Sequence, residues 1–384
     1  MVLVGARYGY RRASRVALGA DFCKCILRHM TEVQGVRRQP LLTVVCVLLS
    51  AHFAIAYNTL TSAMVPFHTY KDLKGDGGPF AYRMLPALLW KAATALLHPL
   101  YLRFPRLHMP YLNRPFTSQE DWFVVLLTFA AMLGTLLVAR RLLRSIDSHR
   151  GFEWMALGMG YAAYFDTMLV LNRNLYYPYD VAALFFFTLL VYLAYQGRPV
   201  AFTLVLIPAF LNKETAAVAI FIFLGLQYGR YSLLRLMSLC AGMGALVVAI
   251  RLAERAYIQH LCSSCGGMTQ NQFSENVHQM FNPLFWLSES AVFGFAYVAA
   301  ILFWRFVPVR VRVTSIAVFV LWGAAMTVVG ILREVRIFSE LSAVVLLMIG
   351  LGVHGWLQER RLESRTIGEG APAADGEGSF VAAI

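Results

Sequence analysis

Ala201–Gln227 reads AFTLVLIPAFLNKETAAVAIFIFLGLQ, an apolar run broken in its middle by Asn212-Lys213-Glu214. Each half holds about a dozen residues, short of the roughly 20 that carry a helix across a bilayer. A charged break at membrane depth is tolerated where it lines a protein cavity. Charge there is costly and is usually kept for a purpose. The same pattern recurs elsewhere. Arg333-Glu334-Val335-Arg336 separates two apolar runs near the C-terminus, Asp180 opens another, and Arg83 stands just before one.

The rest of the chain has the character of a membrane protein. Of its 384 residues 59% are hydrophobic and 14% charged, with a mean hydropathy of +0.59; soluble domains are nearer half apolar and a quarter charged. The expected fold class is an all-α polytopic integral membrane protein with about eight full spans plus the broken, re-entrant pair. The spans are Leu41–Tyr57, Trp122–Ala139, Phe152–Leu171, Asp180–Tyr195, Leu233–Leu252, Ala291–Trp304, Val313–Ile331 and Ile337–Trp356. They imply a basic N-terminal arm (1–40), a membrane domain (41–357) with outer loops 58–121 and 253–290, and a polar, disordered tail (358–384).

The net charge of +13 is no sign of nucleic-acid binding, because the basic residues cluster at the ends of apolar runs. Orientation signals and attraction to anionic membrane lipids account for them. Arg7, Arg11, Arg12, Arg15, Lys24, Arg28, Arg37 and Arg38 precede the first span and place the N-terminus in the cytosol. Arg140, Arg141, Arg144 and Arg150, then Arg230, Arg235, Arg305, Arg310 and Arg312, then the C-terminal Arg360 and Arg361 follow on the same side. This holds if Met84–Leu102 lies at the interface and Ala201–Gln227 enters and leaves on one side. A rival arrangement lets both cross once. It places Arg140–Arg150 outside and Arg103, Arg106 and Arg114 inside.

The preferred arrangement gathers the polar breaks on the outer face: Asp72, Asp76 and Arg83 in the first outer loop, Arg173 and Asp180 around Leu175–Tyr179, Lys213 and Glu214 at the break, and Arg333, Glu334 and Arg336 between the last two spans. Fixed Arg and Lys suit a phosphate or diphosphate, and a carboxylate nearby suits general-base work on a hydroxyl. Each group also has a plainer reading. Arg173, Arg333 and Arg336 snorkel at helix ends, Lys213 and Glu214 pair with each other, Asp180 caps a helix, and Asp72 and Asp76 belong to turns. Tyr176, Tyr177 and Tyr179, with Trp122, Trp286 and Trp304, read mainly as interfacial aromatics. Cys46 and Cys240 read as packing residues; Cys262-Ser-Ser-Cys265 is a weak metal or disulfide signal. His260 and His278 read as solvated loop residues. No P-loop, dinucleotide Gly pattern, zinc-protease or nucleophile-elbow motif occurs in a usable context. Energy then comes from an activated substrate or a gradient.

The order of these features resembles the GT-C superfamily of membrane glycosyltransferases, in the manner of an uncharacterised bacterial relative. The likeness rests on a long loop after the first helix carrying acids and Pro79-Phe-Ala-Tyr-Arg-Met-Leu-Pro86, on the break Asn212-Lys-Glu-Thr215, and on Arg333-Glu-Val-Arg-Ile-Phe338. The resemblance implies sugar transfer from a polyprenyl-phosphate donor to a glycan, lipid or protein acceptor on the outer face of a bacterial inner membrane. It further implies Asp76, or else Asp72, as the base and Arg83, Lys213, Arg333 and Arg336 as phosphate holders. No cofactor or metal is required, though a divalent ion is compatible. The paired acidic motif of many members is absent, since Asp72 and Asp76 are four apart, and the helix count is small for the superfamily. Polymerisation or ligation of lipid-diphosphate-linked glycans, a secondary transporter or flippase, and a non-catalytic membrane subunit are the alternatives.

Overall fold

In a computed structural model the described residues are 38–63, 67, 71, 82–101, 118–169, 175–261, 272–330, 332 and 334–369. The chain divides into two compact units, Met1–Thr43 and Val44–Ile384. The second is built from helices: α1 (Arg38–Leu60, shared with the first unit), α2 (Leu85–Tyr101), α3 (Gln119–Ile146), α4 (Leu157–Tyr164), α5 (Asp180–Gln196), α6 (Pro199–Asn212), α7 (Ala219–Gln227), α8 (Leu233–Leu261), α9 (Phe273–Met280), α10 (Pro283–Glu289), α11 (Ala296–Leu302), α12 (Val309–Val329) and α13 (Ser342–Glu369). Short 3-10 turns precede α4, α7, α11 and α13. Among the described residues, β structure amounts to a parallel pair, β1 (Ser62–Ala63) with β2 (Leu175–Tyr176), and a single bridge between Tyr228 and Tyr231.

Among the described residues, five helices are long and apolar enough to cross a bilayer: Pro40–Leu60, Gln119–Ile146, Leu233–Leu261, Val309–Val328 and the stretch Val335–Glu363. The architecture is that of an all-α membrane protein. Two of these helices show its inside and outside. The apolar window of Val335–Glu363 is 78% buried within the protein, that of Leu233–Leu261 only 22%. Leu233, Leu234, Val248 and Leu252 on α8 are left uncovered. In water such a face is an aggregation hazard; in lipid it is already in its preferred solvent.

Two stretches read as full spans are differently built, and a third is a single short helix. Phe152–Leu171 falls into a 3-10 turn (Arg150–Ala156), α4 and a π turn (Phe165–Leu169). Ala291–Trp304 is divided by left-handed residues at Phe293–Phe295. Asp180–Gln196 is one clean helix of 17 residues, about 25 Å long at 1.5 Å per residue. The segment read as a second outer loop is largely helical, with α8 running to Leu261 and α9 and α10 after it. The tail too begins as helix, because α13 continues to Glu369.

Helix α5 is the axis of the fold. It packs against α3, α6, α7 and α13, and so it is apolar all round, as a helix with no lipid or water face must be. The broken run folds as a hairpin along it. At the N-terminal end of α5 the Asn212 amide donates to Tyr179 O (2.9 Å). At the other end Gln227 donates to Ala194 O and Arg230 to Tyr195 O (3.1 Å). Both open ends of the run therefore meet the C-terminal end of α5. Gly197 makes the first turn possible: its φ of +68° is left-handed, and a Cβ would stand 2.8 Å from Gln227 Oε1. The second turn is made by Lys213, whose backbone is extended (φ −161°, ψ 130°).

A cap with no counterpart among the sequence expectations fixes the end of α12. The buried Asn276 amide donates to Thr327 O (2.9 Å) and Gly330 O (2.7 Å), and its carbonyl accepts from Leu332 N (3.0 Å). One side chain thus serves the carbonyls that a helix C-terminus leaves open.

Glycine sets one helix spacing. A Cβ on Gly225 of α7 would lie 2.7 and 2.9 Å from Cγ2 and Cβ of Thr314 on α12, whereas Gly242 of α8 has open space. Gly225→Ala is expected to cost about 1–3 kcal/mol by overpacking, and Gly242→Ala nothing, or to gain up to about 1 kcal/mol of helix propensity. Thermal unfolding in detergent checks the contrast.

Candidate functional site

The N-terminal end of α5, the turn of the hairpin and the segment Val335–Leu341 meet in one buried charged network. Asp180, the first residue of α5, is 3% exposed. Its carboxylate accepts from Arg336 and pairs with Lys213 Nζ at 3.4 Å. Lys213 Nζ also lies 2.7 Å from Glu340 Oε1, and the other Glu340 oxygen accepts from the Thr215 hydroxyl (2.7 Å). Arg336 further donates to Glu334. Lys213 is 5%, Glu340 1% and Arg336 8% exposed. Ions so far from solvent persist only when paired and hydrogen-bonded.

Three tyrosines frame the cations. The Arg336 guanidinium lies 3.7 Å from the Tyr177 ring centre and that of Arg83 lies 4.3 Å from Tyr179, stacking that fixes the plane of each fork. The Tyr57 hydroxyl, from α1, accepts from Tyr177 N (3.3 Å). Burial pushes the Tyr177 phenol up to about 12, with Arg336 only partly offsetting it, so the ring stays neutral and serves as a platform. Arg83 grips Glu214 with two hydrogen bonds, 3.1 Å from Nη2 and 3.4 Å from Nε. Glu214, with a side chain 36% exposed, is the network's most open acid.

The geometry decides between several sequence expectations. Lys213 and Glu214 are not partners: Lys213 turns to Asp180 and Glu340, and Glu214 to Arg83. Asp180 does not cap α5, because Tyr179 holds the N-cap position and the Asp180 side chain is spent on Arg336 and Lys213. Arg336 is buried and does not snorkel to a surface. Tyr177 and Tyr179, read as interfacial, are 2% and 0% exposed and belong to the site. His260 ends α8 and His278 lies in α9, so neither is a loop residue.

The structure brings together Arg83, Asp180, Lys213, Glu214, Glu334 and Arg336. Asp72, Asp76, Arg173 and Arg333, together with Cys262 and Cys265, lie outside the described residues. Glu340 and Tyr57 join the site without having been expected there, and Asn212 and Thr215 join it from the two ends of the quoted break. Glu340 follows Arg336 by four residues, the interval that places two side chains on one helical face; that spacing was the available signal.

Among the described residues the network sets three cations (Arg83, Lys213, Arg336) against four carboxylates (Asp180, Glu214, Glu334, Glu340). Arg336 Nε and Asn212 Oδ1, buried at its heart, have no hydrogen-bond partner among the described residues. No group of three or more metal-ligating side chains occurs among the described residues.

Lys213→Met would leave Asp180 and Glu340 facing each other without their shared cation. Removal of one partner from a buried ion cluster costs about 3–5 kcal/mol. Lys213→Met with Glu340→Gln should recover part of that loss, and a double-mutant cycle on thermal unfolding measures the coupling. No family model, curated protein or solved structure matches this chain.

Proposed function

We propose that this protein is a membrane glycosyltransferase of the GT-C type, which moves a sugar from a polyprenyl-phosphate donor to a hydroxyl acceptor at the outer face of a bacterial inner membrane. In this reading about eight segments cross the bilayer, the termini are cytosolic, and the hairpin of α6 and α7 is re-entrant. The reading is supported chiefly by Arg336: a guanidinium stacked on Tyr177 and held by Asp180 and Glu334, with its Nε–H unmatched by any described protein acceptor. A phosphate oxygen is the acceptor that such a fork is suited to.

The chemistry needs few parts. A carboxylate takes the proton of the acceptor hydroxyl as its oxygen attacks the anomeric carbon. The bond from that carbon to the phosphate oxygen breaks with inversion, and the phosphate leaves with the electron pair. Arg336 and Arg83 stabilise the charge that develops there. Asp180 and Glu334 position Arg336. Lys213, shared by Asp180 and Glu340, locks the hairpin turn to Val335–Leu341. The base is assigned to Asp76, or else Asp72, on the resemblance of the first outer loop. No metal is needed in this scheme.

A second reading, transport coupled to a proton or cation, draws on two features: within the buried network the carboxylates among the described residues outnumber the cations, and a broken helix carries charge in its middle.

Detergent-purified protein given radiolabelled polyprenyl-phosphate sugars and a membrane-lipid extract should transfer label. Asp76→Asn should lower that rate by about 10²-fold or more with an unchanged melting temperature, or Asp72→Asn should do so if it is the base. Absence of transfer from every donor by folded protein, together with ion-dependent flux in vesicles, would establish the transport reading instead.

A further inference from the structure

A second polar centre lies against the same Val335–Leu341 segment and takes no part in the transfer chemistry. Asp166 sits in the π turn Phe165–Leu169 and is 4% exposed. Its Oδ1 accepts from Phe293 N at 2.7 Å. Phe293, Gly294 and Phe295 have φ of 60°, 57° and 64°, a left-handed run that phenylalanines adopt only when held there. A Cβ on Gly294 would stand 3.1 Å from the Phe165 ring, so the middle residue has no room to be anything else. Asp166 therefore pins a strained turn to the end of α4.

The other Asp166 oxygen, Oδ2, is buried and has no cation beside it among the described residues; the Ser342 hydroxyl is its polar neighbour, and Glu289 lies within electrostatic reach. No Lys or Arg among the described residues pairs with Asp166. The elements packed on the π turn are α4, Val292–Phe295 and Val335–Leu341. Their titratable groups are Tyr161, Tyr164, Arg336 and Glu340, of which Arg336 and Glu340 are committed to the ion network around Lys213. A buried carboxylate without a cation is neutralised by a proton or by a bound ion.

We infer that Asp166 holds an exchangeable proton that keeps this carboxyl neutral where it pins the Phe293–Phe295 turn. The ligand is the proton itself. Because the π turn packs on Val335–Leu341, loss of the proton would place a new negative charge behind the segment that carries Arg336. Burial pushes the Glu289 carboxyl up to about 8. A raised carboxyl favours the folded state at low pH, and this contribution fades as pH climbs from the ordinary carboxylate range through about 8.

The test is infrared spectroscopy and thermal unfolding of the full protein in detergent between about pH 6 and pH 9. A protonated-carboxyl band should be present at pH 6 and smaller by one carboxyl in Asp166→Asn, which copies the neutral carboxyl and keeps the acceptor for Phe293 N–H; the part that remains belongs to other raised carboxyls such as Glu289. That variant should melt with the wild type at pH 6. The wild type should lose melting temperature as pH rises, and Glu289→Gln should flatten this slope. A band unchanged in Asp166→Asn would overturn the inference. So would a wild-type melting temperature that rises with sodium but not with choline, since the carboxylate would then hold a cation. If Asp166→Asn does not fold, modification of the wild type with an apolar carbodiimide decides the matter, because that reagent needs the protonated carboxyl. Labelled Asp166 by mass spectrometry supports the inference, and unlabelled Asp166 in a protein labelled elsewhere overturns it.

Discussion

Lys213 is shared by two buried carboxylates, Asp180 of α5 at 3.4 Å and Glu340 of the Val335–Leu341 segment at 2.7 Å, and the arrangement around it follows from that sharing. A buried lysine cannot be left in apolar surroundings, so the chain has to bring acids to it from distant parts of the sequence. One lysine shared by two carboxylates leaves a negative charge over, and Asp180 pairs with Arg336 as well. The tip of a broken hairpin, the start of the central helix and the start of the last helix are thereby tied to one point. Buried ion clusters of this kind contribute little net stability compared with apolar packing, but they penalise wrong arrangements heavily. In a bundle whose helices are nearly all greasy, they are a means of fixing which helix ends meet.

The packing agrees with this division of labour. Helix α5 is enclosed on all sides and supplies apolar contact without directional preference. Direction comes from the polar contacts at its two ends: Asn212 on Tyr179 O and the ion cluster at the first, Gln227 on Ala194 O and Arg230 on Tyr195 O at the second. Two of the cations, Arg83 and Arg336, are each stacked on a tyrosine and held by acids. They are rigid before any ligand arrives, which is the condition under which fixed charge lowers a barrier.

Much of this was legible in the sequence. The break at Asn212-Lys213-Glu214 announced the hairpin, because two half-length apolar runs with a charged tip have few other solutions. Charged residues set against apolar runs announced Asp180 and Arg336, since burying them costs too much to be incidental. The partners were less legible. Lys213 and Glu214 are adjacent and opposite in charge, yet an extended backbone at Lys213 sends the two side chains different ways. Glu340 sits in an otherwise ordinary helical start, and only its four-residue interval from Arg336 marks it. Tyr177 and Tyr179 match the composition of an interface belt, and their burial depends on α1 and Arg83 arriving from far away in sequence. The left-handed run at Phe293–Phe295 had no local signal beyond Gly294, as aromatic residues are poor candidates for that backbone.

The central claim is that this network receives a lipid-linked phosphate, and direct binding tests it most simply. Native mass spectrometry of the detergent-purified protein with a polyprenyl phosphate and with the matching polyprenyl alcohol separates headgroup recognition from greasy adhesion. If the network grips the headgroup, the phosphate is retained and the alcohol is not, and Arg336→Gln loses the difference. Equal retention of both lipids, or retention of the phosphate undiminished in Arg336→Gln, would contradict it.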